Sequence, residues 1–139
     1  MDTSAPSLII VKDEKPQPIT GKEKEAIRKK GPSIAIWRSK DAKPEEGIVF
    51  PEYRPFFSEF ITDNLRRIYA VRTKSVLDDS PAIMLDVFSA DGYYLYRTRL
   101  PFRPVVIKNG LIFEIRRDEE GETTVIKHRV KNWELMKFN

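Results

Sequence analysis

The chain has 139 residues and a net charge of +4, with 33% charged and 40% hydrophobic residues. This size is typical of one domain with a modest core under a solvated surface, and the composition excludes a wholly disordered chain. The sequence contains no cysteine, which excludes disulfides, a thiolate nucleophile and a cysteine-ligated zinc site.

The apolar run nearest the start, Leu8 to Val11, is too short for the core of a signal peptide and for a membrane span. We therefore expect a soluble chain with no membrane partner, and the compartment stays open. Residues 1–50 contain ten Lys/Arg and eight Asp/Glu, and residues 51–139 contain fifteen and thirteen. A phosphate-binding surface requires clustered cations, so this even spread argues against a nucleic-acid partner.

The first structured region predicted is a short strand followed by a helix. Residues 1–7 are predicted to be a frayed end, and Leu8 to Lys12 a strand that leads into a proline-containing connector. A helix is predicted over Gly21 to Lys30, because the Thr20 hydroxyl can cap its free N–H groups and Glu23 completes a capping box. The helix has few apolar residues, so we expect it to lie on the outside of the domain.

The rest of the chain is predicted to form antiparallel strands. β-Branched and aromatic residues alternate between turn residues such as Asp91-Gly92 and Asn109-Gly110. Within Tyr94 to Leu100, one face is predicted to carry Tyr94 and Tyr96 and the other two arginines, as on an outer or edge strand. The predicted strands are Ser33–Arg38, Phe57–Ile61, Arg67–Thr73, Ile83–Phe88, Tyr94–Leu100, Val105–Lys108, Leu111–Arg116 and Thr123–Val130.

Two Arg-Pro steps indicate an internal repeat. Arg54-Pro55 and Arg103-Pro104 lie 49 residues apart, and each precedes a predicted hairpin. A four-stranded unit that recurs at about 40 to 50 residues has the period of a propeller blade. The segments are FPEYRPFFSEFITDNLRRIYAVR and DVFSADGYYLYRTRLPFRPVVIKNGLIFEI.

These two segments resemble the last blade of bacterial six-bladed β-propeller proteins related to the NHL and TolB-like groups. Upstream, VKDEKPQPITGKEKEAIRKK resembles the strand end, connector and helical insertion before that blade, so the resemblance covers most of residues 8–133. It implies an all-β fold of about two four-stranded antiparallel propeller-type blades in one domain over residues 8–139. A helical insertion occupies about residues 20–31.

The chain departs from that family at two points. Where the family has Asp-x-x-Gly-Arg, this chain has Arg66 in place of the glycine, at a strain of about 1 kcal/mol if the turn is kept. We therefore expect an altered turn, with Asn64 in the left-handed conformation. About two blades are also too few for a closed ring of four to eight. A C-terminal part of a larger propeller, a ring of identical chains and a small sandwich all remain open.

The sequence predicts no catalytic residue, metal site or cofactor. His128 is the only histidine, the acidic runs match no calcium loop, and no serine lies in a nucleophile elbow. On a strand face with Ile126 and Val130, His128 is typical of a packed histidine.

The candidate binding residues are an arginine beside an aromatic residue at each Arg-Pro step, together with His128. The resemblance implies equivalent rim positions for the two steps, and such a pair can hold a carboxylate or a peptide. Alternatively, Arg-Pro fixes an extended turn and the guanidinium tethers neighbouring backbone. The candidates are Tyr53, Arg54, Phe102, Arg103 and His128.

The function predicted is a non-catalytic interaction or scaffold module whose partner is a protein, a peptide or copies of itself in a homo-oligomer. One alternative is part of a propeller hydrolase or lyase whose site is completed by other chains or missing blades. Another is a weak nucleic-acid-binding protein.

Overall fold

A computed structural model describes residues 13–30, 50–131 and 133 of the chain. These ranges contain one helix and nine strands, and every strand pairing is antiparallel, so the predicted all-β class with one short helix is confirmed. The elements are β1 (Gln17–Pro18), α1 (Gly21–Lys30), β2 (Tyr53–Arg54), β3 (Phe57–Thr62), β4 (Ile68–Arg72), β5 (Ile83–Phe88), β6 (Tyr94–Leu100), β7 (Pro104–Lys108), β8 (Leu111–Arg117) and β9 (Thr123–Arg129).

The predicted strands over Leu8 to Lys12 and Ser33 to Arg38 lie outside the described residues. Within the described ranges, no helix combines the length and the apolar character needed to cross a membrane.

The chain divides into two compact units. The helix unit comprises Glu14–Phe56 and Thr73–Asp79, and the sheet unit comprises Met1–Asp13, Phe57–Arg72 and Ser80–Asn139. The helix unit therefore contains α1, β1 and β2, and the sheet unit contains β3 to β9.

The helix unit is built around the predicted capping box, which is confirmed. The Thr20 backbone N–H donates to Glu23 Oε2 at 2.9 Å, and the Glu23 N–H donates to Thr20 Oγ1 at 3.3 Å. These two bonds satisfy N–H groups that have no partner within the helix itself. The proline-containing connector forms a two-residue ladder, in which Gln17 pairs with Arg54 and Pro18 with Tyr53.

The sheet unit contains a four-stranded sheet in the order β3-β4-β5-β6 and a three-stranded sheet in the order β7-β8-β9. Within each of these sheets, every strand pairs with the next one in sequence, as expected for strands joined by short turns. Alternate side chains along these strands form one buried apolar cluster to which both sheets contribute. Its members are Ile61, Tyr69, Val71, Ile83, Leu85, Val87, Ile107 and Trp133.

A β-bulge changes which face of β6 carries Tyr94. The register shifts between Val87 and Phe88, so Tyr96 lies opposite Val87 whereas Tyr94 lies opposite Phe88. The rings of Phe88 and Tyr94 are 5.7 Å apart, on the face that points away from the core. The prediction that Tyr94 and Tyr96 share a face is therefore wrong, because the extra residue of a bulge reverses the alternation. The prediction of β6 as an edge strand is confirmed within the described sheet.

The Asn109-Gly110 turn forms as predicted, with φ angles of +50° and +72°. Gly110 is also required by packing, since a Cβ at this position would lie 2.7 Å from Cγ of Trp133. The indole thus covers the backbone of the turn directly.

The β3–β4 turn keeps the left-handed residue at Arg66, whose φ is +60°. The prediction of an altered turn with Asn64 in that conformation is therefore wrong. Asp63 supplies the physical reason, because its Oδ1 accepts the backbone N–H groups of Leu65 at 2.8 Å and Arg67 at 3.0 Å. These hydrogen bonds offset the strain of about 1 kcal/mol at Arg66.

Arg66→Gly is expected to be more stable than Arg66→Ala by about 1 kcal/mol in the free energy of unfolding. Glycine relieves the crowding at positive φ, whereas alanine retains it. The backbone N–H of Arg66, which donates to the Asp63 carbonyl at 3.0 Å, is present in both variants. Urea unfolding of the two variants measures the difference, and equal stabilities would contradict the strain assigned to this turn.

Candidate functional site

Two of the predicted binding residues, Phe102 and His128, lie in direct contact. Their rings stack with centroids 4.1 Å apart and an interplanar angle of 15°. His128 Nε2 lies 2.9 Å from Oε2 of Glu114, a residue that was not among the sequence candidates. We call Phe102, His128, Glu114 and Arg116 the Glu114 cluster.

The register of the three-stranded sheet explains why the Glu114 cluster forms. His128 pairs with Ile112 and Ile126 pairs with Glu114, so His128 and Glu114 are diagonal neighbours on one face. Arg116 follows on the same face of β8, and its Nε and Nη2 donate to Glu114 Oε1 at 3.1 and 3.0 Å. The cluster therefore depends on pairing between β8 and β9.

Glu114 is the electrostatic centre of this cluster. Its hydrogen bond with His128 lowers the pKa of the carboxyl, burial opposes that shift, and the Arg116 guanidinium lowers the pKa further. The carboxylate is thus held ionised and saturated with donors. It is a weak proton acceptor, and it fixes the positions of the imidazole and the guanidinium.

Arg103, the residue after Phe102, is engaged by a different acid. Its Nε donates to Glu59 Oε2 of β3 at 2.8 Å, and both side chains are exposed to solvent. An exposed ion pair of this kind contributes little to stability and can exchange with an external carboxylate.

Tyr53 and Arg54 belong to the helix unit, whereas Phe102, Arg103 and His128 belong to the sheet unit. Arg54 Nη2 lies 2.9 Å from Glu23 Oε1, so the guanidinium tethers β2 to the start of the helix. Tyr53 is exposed, and a hydrogen bond with Glu52 raises its pKa. The two Arg-Pro steps thus have different local partners, and their equivalence as rim positions stays a prediction.

Glu23 holds the helix unit together as well as capping α1. The Ser75 hydroxyl donates to its Oε1 at 2.5 Å, and this bond, the Thr20 N–H and Arg54 lower the pKa of Glu23 to about 2 against the effect of burial. One carboxylate therefore joins α1, β2 and the loop after β4.

Asp86 is a second residue that sequence reasoning missed. It lies on β5, one of the two central strands of its sheet, is fully buried, and accepts hydrogen bonds from Arg72 Nη1 at 2.9 Å and Arg97 Nε at 2.7 Å. An aspartate within an apolar strand, with arginines on both neighbouring strands, is the signal that could have identified it.

An apolar cavity of about 240 Å³ lies between the two sheets of the sheet unit. Tyr69, Tyr96 and Thr98 are among its lining residues, and burial raises the pKa of both tyrosines. The complete lining is Tyr69, Leu85, Tyr96, Thr98, Leu100, Ile107, Ile112, Val130 and Trp133.

The opposite face of the β7-β8-β9 sheet points away from this cavity and is exposed. Ile115 and Val125, which pair across β8 and β9, are 55% and 64% exposed, and Val106 of β7 is 47% exposed. Lysine and arginine side chains surround these apolar positions. We call this surface the basic outer face, defined by Val106, Lys108, Leu111, Phe113, Ile115, Arg117, Val125, Lys127 and Arg129.

In the part of the chain that the structure describes, no group of three or more His, Cys, Asp or Glu side chains could hold a metal ion. Comparison of the chain with protein-family models, with curated proteins and with solved structures finds no match in any of the three.

Glu23→Gln is expected to destabilise the helix unit by about 1 kcal/mol or more at neutral pH. The pKa of Glu23 falls from its ordinary 4.5 to about 2 in the folded chain, so its contribution is present above about pH 4.5 and lost as the pH falls towards 2. Unfolding followed by circular dichroism across this range should show that dependence in the wild type and not in the variant.

Glu25→Gln is the matched control, since Glu25 lies on the same helix in an exposed pair with Lys29 at 2.8 Å. At neutral pH, Glu25→Gln should destabilise the helix unit less than Glu23→Gln does. Equal losses of stability in the two variants would contradict the conclusion that Glu23 holds the helix unit together.

The Phe102–His128 stack is expected to contribute a coupling free energy of about 0.5 to 1.5 kcal/mol. A double-mutant cycle with Phe102→Leu and His128→Gln, measured by urea unfolding, isolates this interaction. Phe102→Leu combined with Arg129→Gln is the control, because Arg129 lies on the basic outer face and its effect should be additive. Additive effects in the first cycle would contradict a stabilising stack.

Proposed function

We propose that this chain is a non-catalytic interaction or scaffold module of β-propeller type, which binds a protein or peptide through an exposed sheet face. The observation that carries the proposal is the basic outer face, where three aliphatic side chains are exposed together on one sheet. Exposed apolar groups that are contiguous rather than scattered are typical of interaction sites.

The sequential strand order supports the propeller-type architecture. A four-stranded antiparallel sheet is followed directly by a second antiparallel sheet, and β3 contacts β7, the first strand of each. Both first strands carry a bulge near their start, between Phe57 and Glu59 and between Pro104 and Val106. Repeated blades would place first strands side by side in this way.

A contact between the two first hairpins also fits a repeat. Asn109 N–H donates to Asn64 Oδ1 at 2.7 Å, so the turn after β7 rests on the turn after β3. Asn64, which the sequence predicted in the left-handed conformation, thus accepts a hydrogen bond from the next hairpin.

The ion pairs and hydrogen bonds of the candidate polar residues favour binding over catalysis. His128 Nε2 is engaged by Glu114, Arg54 by Glu23 and Arg103 by Glu59. Arginine side chains stay protonated at neutral pH and cannot act as general bases, and the sequence contains a single histidine. These pairs instead present arginine and aromatic side chains held in defined positions.

Selection of random peptides on the immobilised, folded chain tests the proposal. We expect enriched peptides whose binding weakens when an exposed apolar residue of a sheet face is replaced, either Phe60→Thr on β3 or Val125→Thr on β9. Threonine retains β-propensity and removes apolar surface, so the fold is preserved. Binding is measured by fluorescence anisotropy with the purified variants.

Leu77→Thr is the control, because Leu77 is an exposed apolar residue of the helix unit, in the polar loop after β4. It should leave peptide binding unchanged. Failure to enrich any peptide above an unrelated protein, or equal binding by all the variants, would overturn the proposal.

A further inference from the structure

We propose that the basic outer face binds an extended acidic segment of another protein, in which carboxylates alternate with apolar side chains. This inference rests on the proposed interaction function and names the chemistry of the partner. It depends on three features of the face, which are its exposed cations, its apolar centre and the charge of the other exposed sheet face.

The cations are concentrated at one end of the face. Lys108 of β7 and Arg129 of β9 both pair with Leu111 of β8, so they flank it in a row across the sheet. Lys127 lies in the next row, opposite Phe113. Among the described residues, none of these three cations has an ion-pair partner. Their charge is available to an external carboxylate.

The centre of the face is aliphatic. The row after Lys127 pairs Ile115 with Val125, and Val106 lies beside Phe113. Side chains at these positions project on the same side of the sheet as the cations, because they are two residues apart along each strand. A segment with alternating carboxylates and apolar groups could therefore contact both sets at once.

The far end of the face has the opposite charge, which gives the bound segment a direction. Asp118, Glu119, Glu120 and Glu122 lie in the β8–β9 turn, next to Arg117. The Glu122 N–H donates to Asp118 Oδ1 at 2.8 Å, so this turn is ordered around its own acids. An acidic segment would be repelled from this end and attracted towards Lys108 and Arg129.

Charge argues against a second copy of the chain as the partner. The outward face of the β3–β6 sheet exposes Phe60, but it also carries Arg72, Arg97 and Arg99 against the single Asp86. Stacking that face onto the first would bring like charges together, and so would a second basic outer face stacked with its strands in the same direction. Juxtaposed like charges suppress association.

The apolar composition argues against single-stranded nucleic acid. Such surfaces combine cations with aromatic side chains on which successive bases stack. Phe113 is the only aromatic residue of the basic outer face and it is half-buried, whereas the exposed apolar residues are aliphatic. Aliphatic groups match the apolar side chains of a peptide.

The test uses the full chain and a fluorescein-labelled peptide of about ten residues, enough to span these strands, in which Glu alternates with Val and Phe. We expect saturable binding in fluorescence anisotropy. The double variant Lys127→Glu/Arg129→Glu should raise the Kd at least about tenfold, and so should about 0.5 M salt compared with about 0.05 M.

The double variant Lys15→Glu/Lys22→Glu is the control, because it changes the net charge by the same amount on the helix unit, where both lysines are exposed. It should shift the Kd for the peptide less than about twofold. An equal shift of the Kd in both double variants would mean that net charge alone explains the effect, and it would overturn the proposal. The same peptide with Gln in place of Glu should bind at least about tenfold more weakly. Equal binding of that peptide would also overturn it.

Three further probes distinguish other occupants of the face. The first two probes are an oligothymidylate and phosphatidylserine vesicles. If either binds more tightly than the acidic peptide, and this binding is lost in Lys127→Glu/Arg129→Glu, the face is assigned to nucleic acid or to a membrane surface and the proposal is overturned. A dimer or larger mass in light scattering that the same variant converts to a monomer would assign it to self-association, with the same consequence.

This inference and the proposed function can fail separately. If selected peptides depend on Phe60 and not on Val125 or Lys127, the interaction module stands and the assignment of the basic outer face is wrong. If no peptide is enriched by selection and the acidic probe does not bind, the proposed function is contradicted as well.

Discussion

The Asp63 carboxylate is the interaction on which the sheet unit most depends. It lies buried at the end of β3, where it accepts the backbone N–H groups of the turn through Oδ1 and Arg67 Nε at 2.7 Å and the Tyr69 hydroxyl at 3.0 Å through Oδ2. The paired guanidinium lies 4.4 Å from the ring centre of Trp133, and Trp133 covers Gly110 of the second sheet. Loss of the carboxylate would leave a buried arginine uncompensated, at about 3 to 5 kcal/mol.

The same arrangement recurs at the other buried acids. Glu23 joins the parts of the helix unit, Asp86 joins three adjacent strands through Arg72 and Arg97, and Glu114 joins β8 to β9. In each case a carboxylate is taken out of water together with donors that satisfy it, as burial of charge requires. Several of the acids are therefore buried in ion pairs and hydrogen bonds within the two units. Their partners include arginines, so the pairing removes cations as well as acids, and the charge of the basic outer face comes from other residues, Lys108, Lys127 and Arg129.

The functional proposals follow from that distribution of charge. Arginine and histidine side chains that would otherwise resemble catalytic groups are held by acids, and the surface left for other molecules is cationic and aliphatic. Such a surface favours association with a complementary partner and discourages stacking of one copy on another. Its fit to an acidic segment is a matter of charge and strand geometry rather than of a recognised motif.

Interactions between residues close in sequence were determined by the sequence itself. The capping box of Thr20 and Glu23, the Asn109-Gly110 turn, most of the strands of the sheet unit and the all-β class followed from local pattern, since each depends on neighbours within a few residues or on period-two alternation. The site was predictable only in part. Phe102 and His128 were chosen for residue type, but nothing local indicated that they stack.

Long-range contacts decided the rest. Tyr94 changes face because a bulge forms against β5, whereas Arg66 keeps its strained φ through local contacts of Asp63 within the turn. Arg54 reaches Glu23 and Arg103 reaches Glu59 across the fold. The basic outer face exists only once β7, β8 and β9 are in register. A sequence pattern cannot specify such features, because they depend on which distant residues the folded chain places side by side.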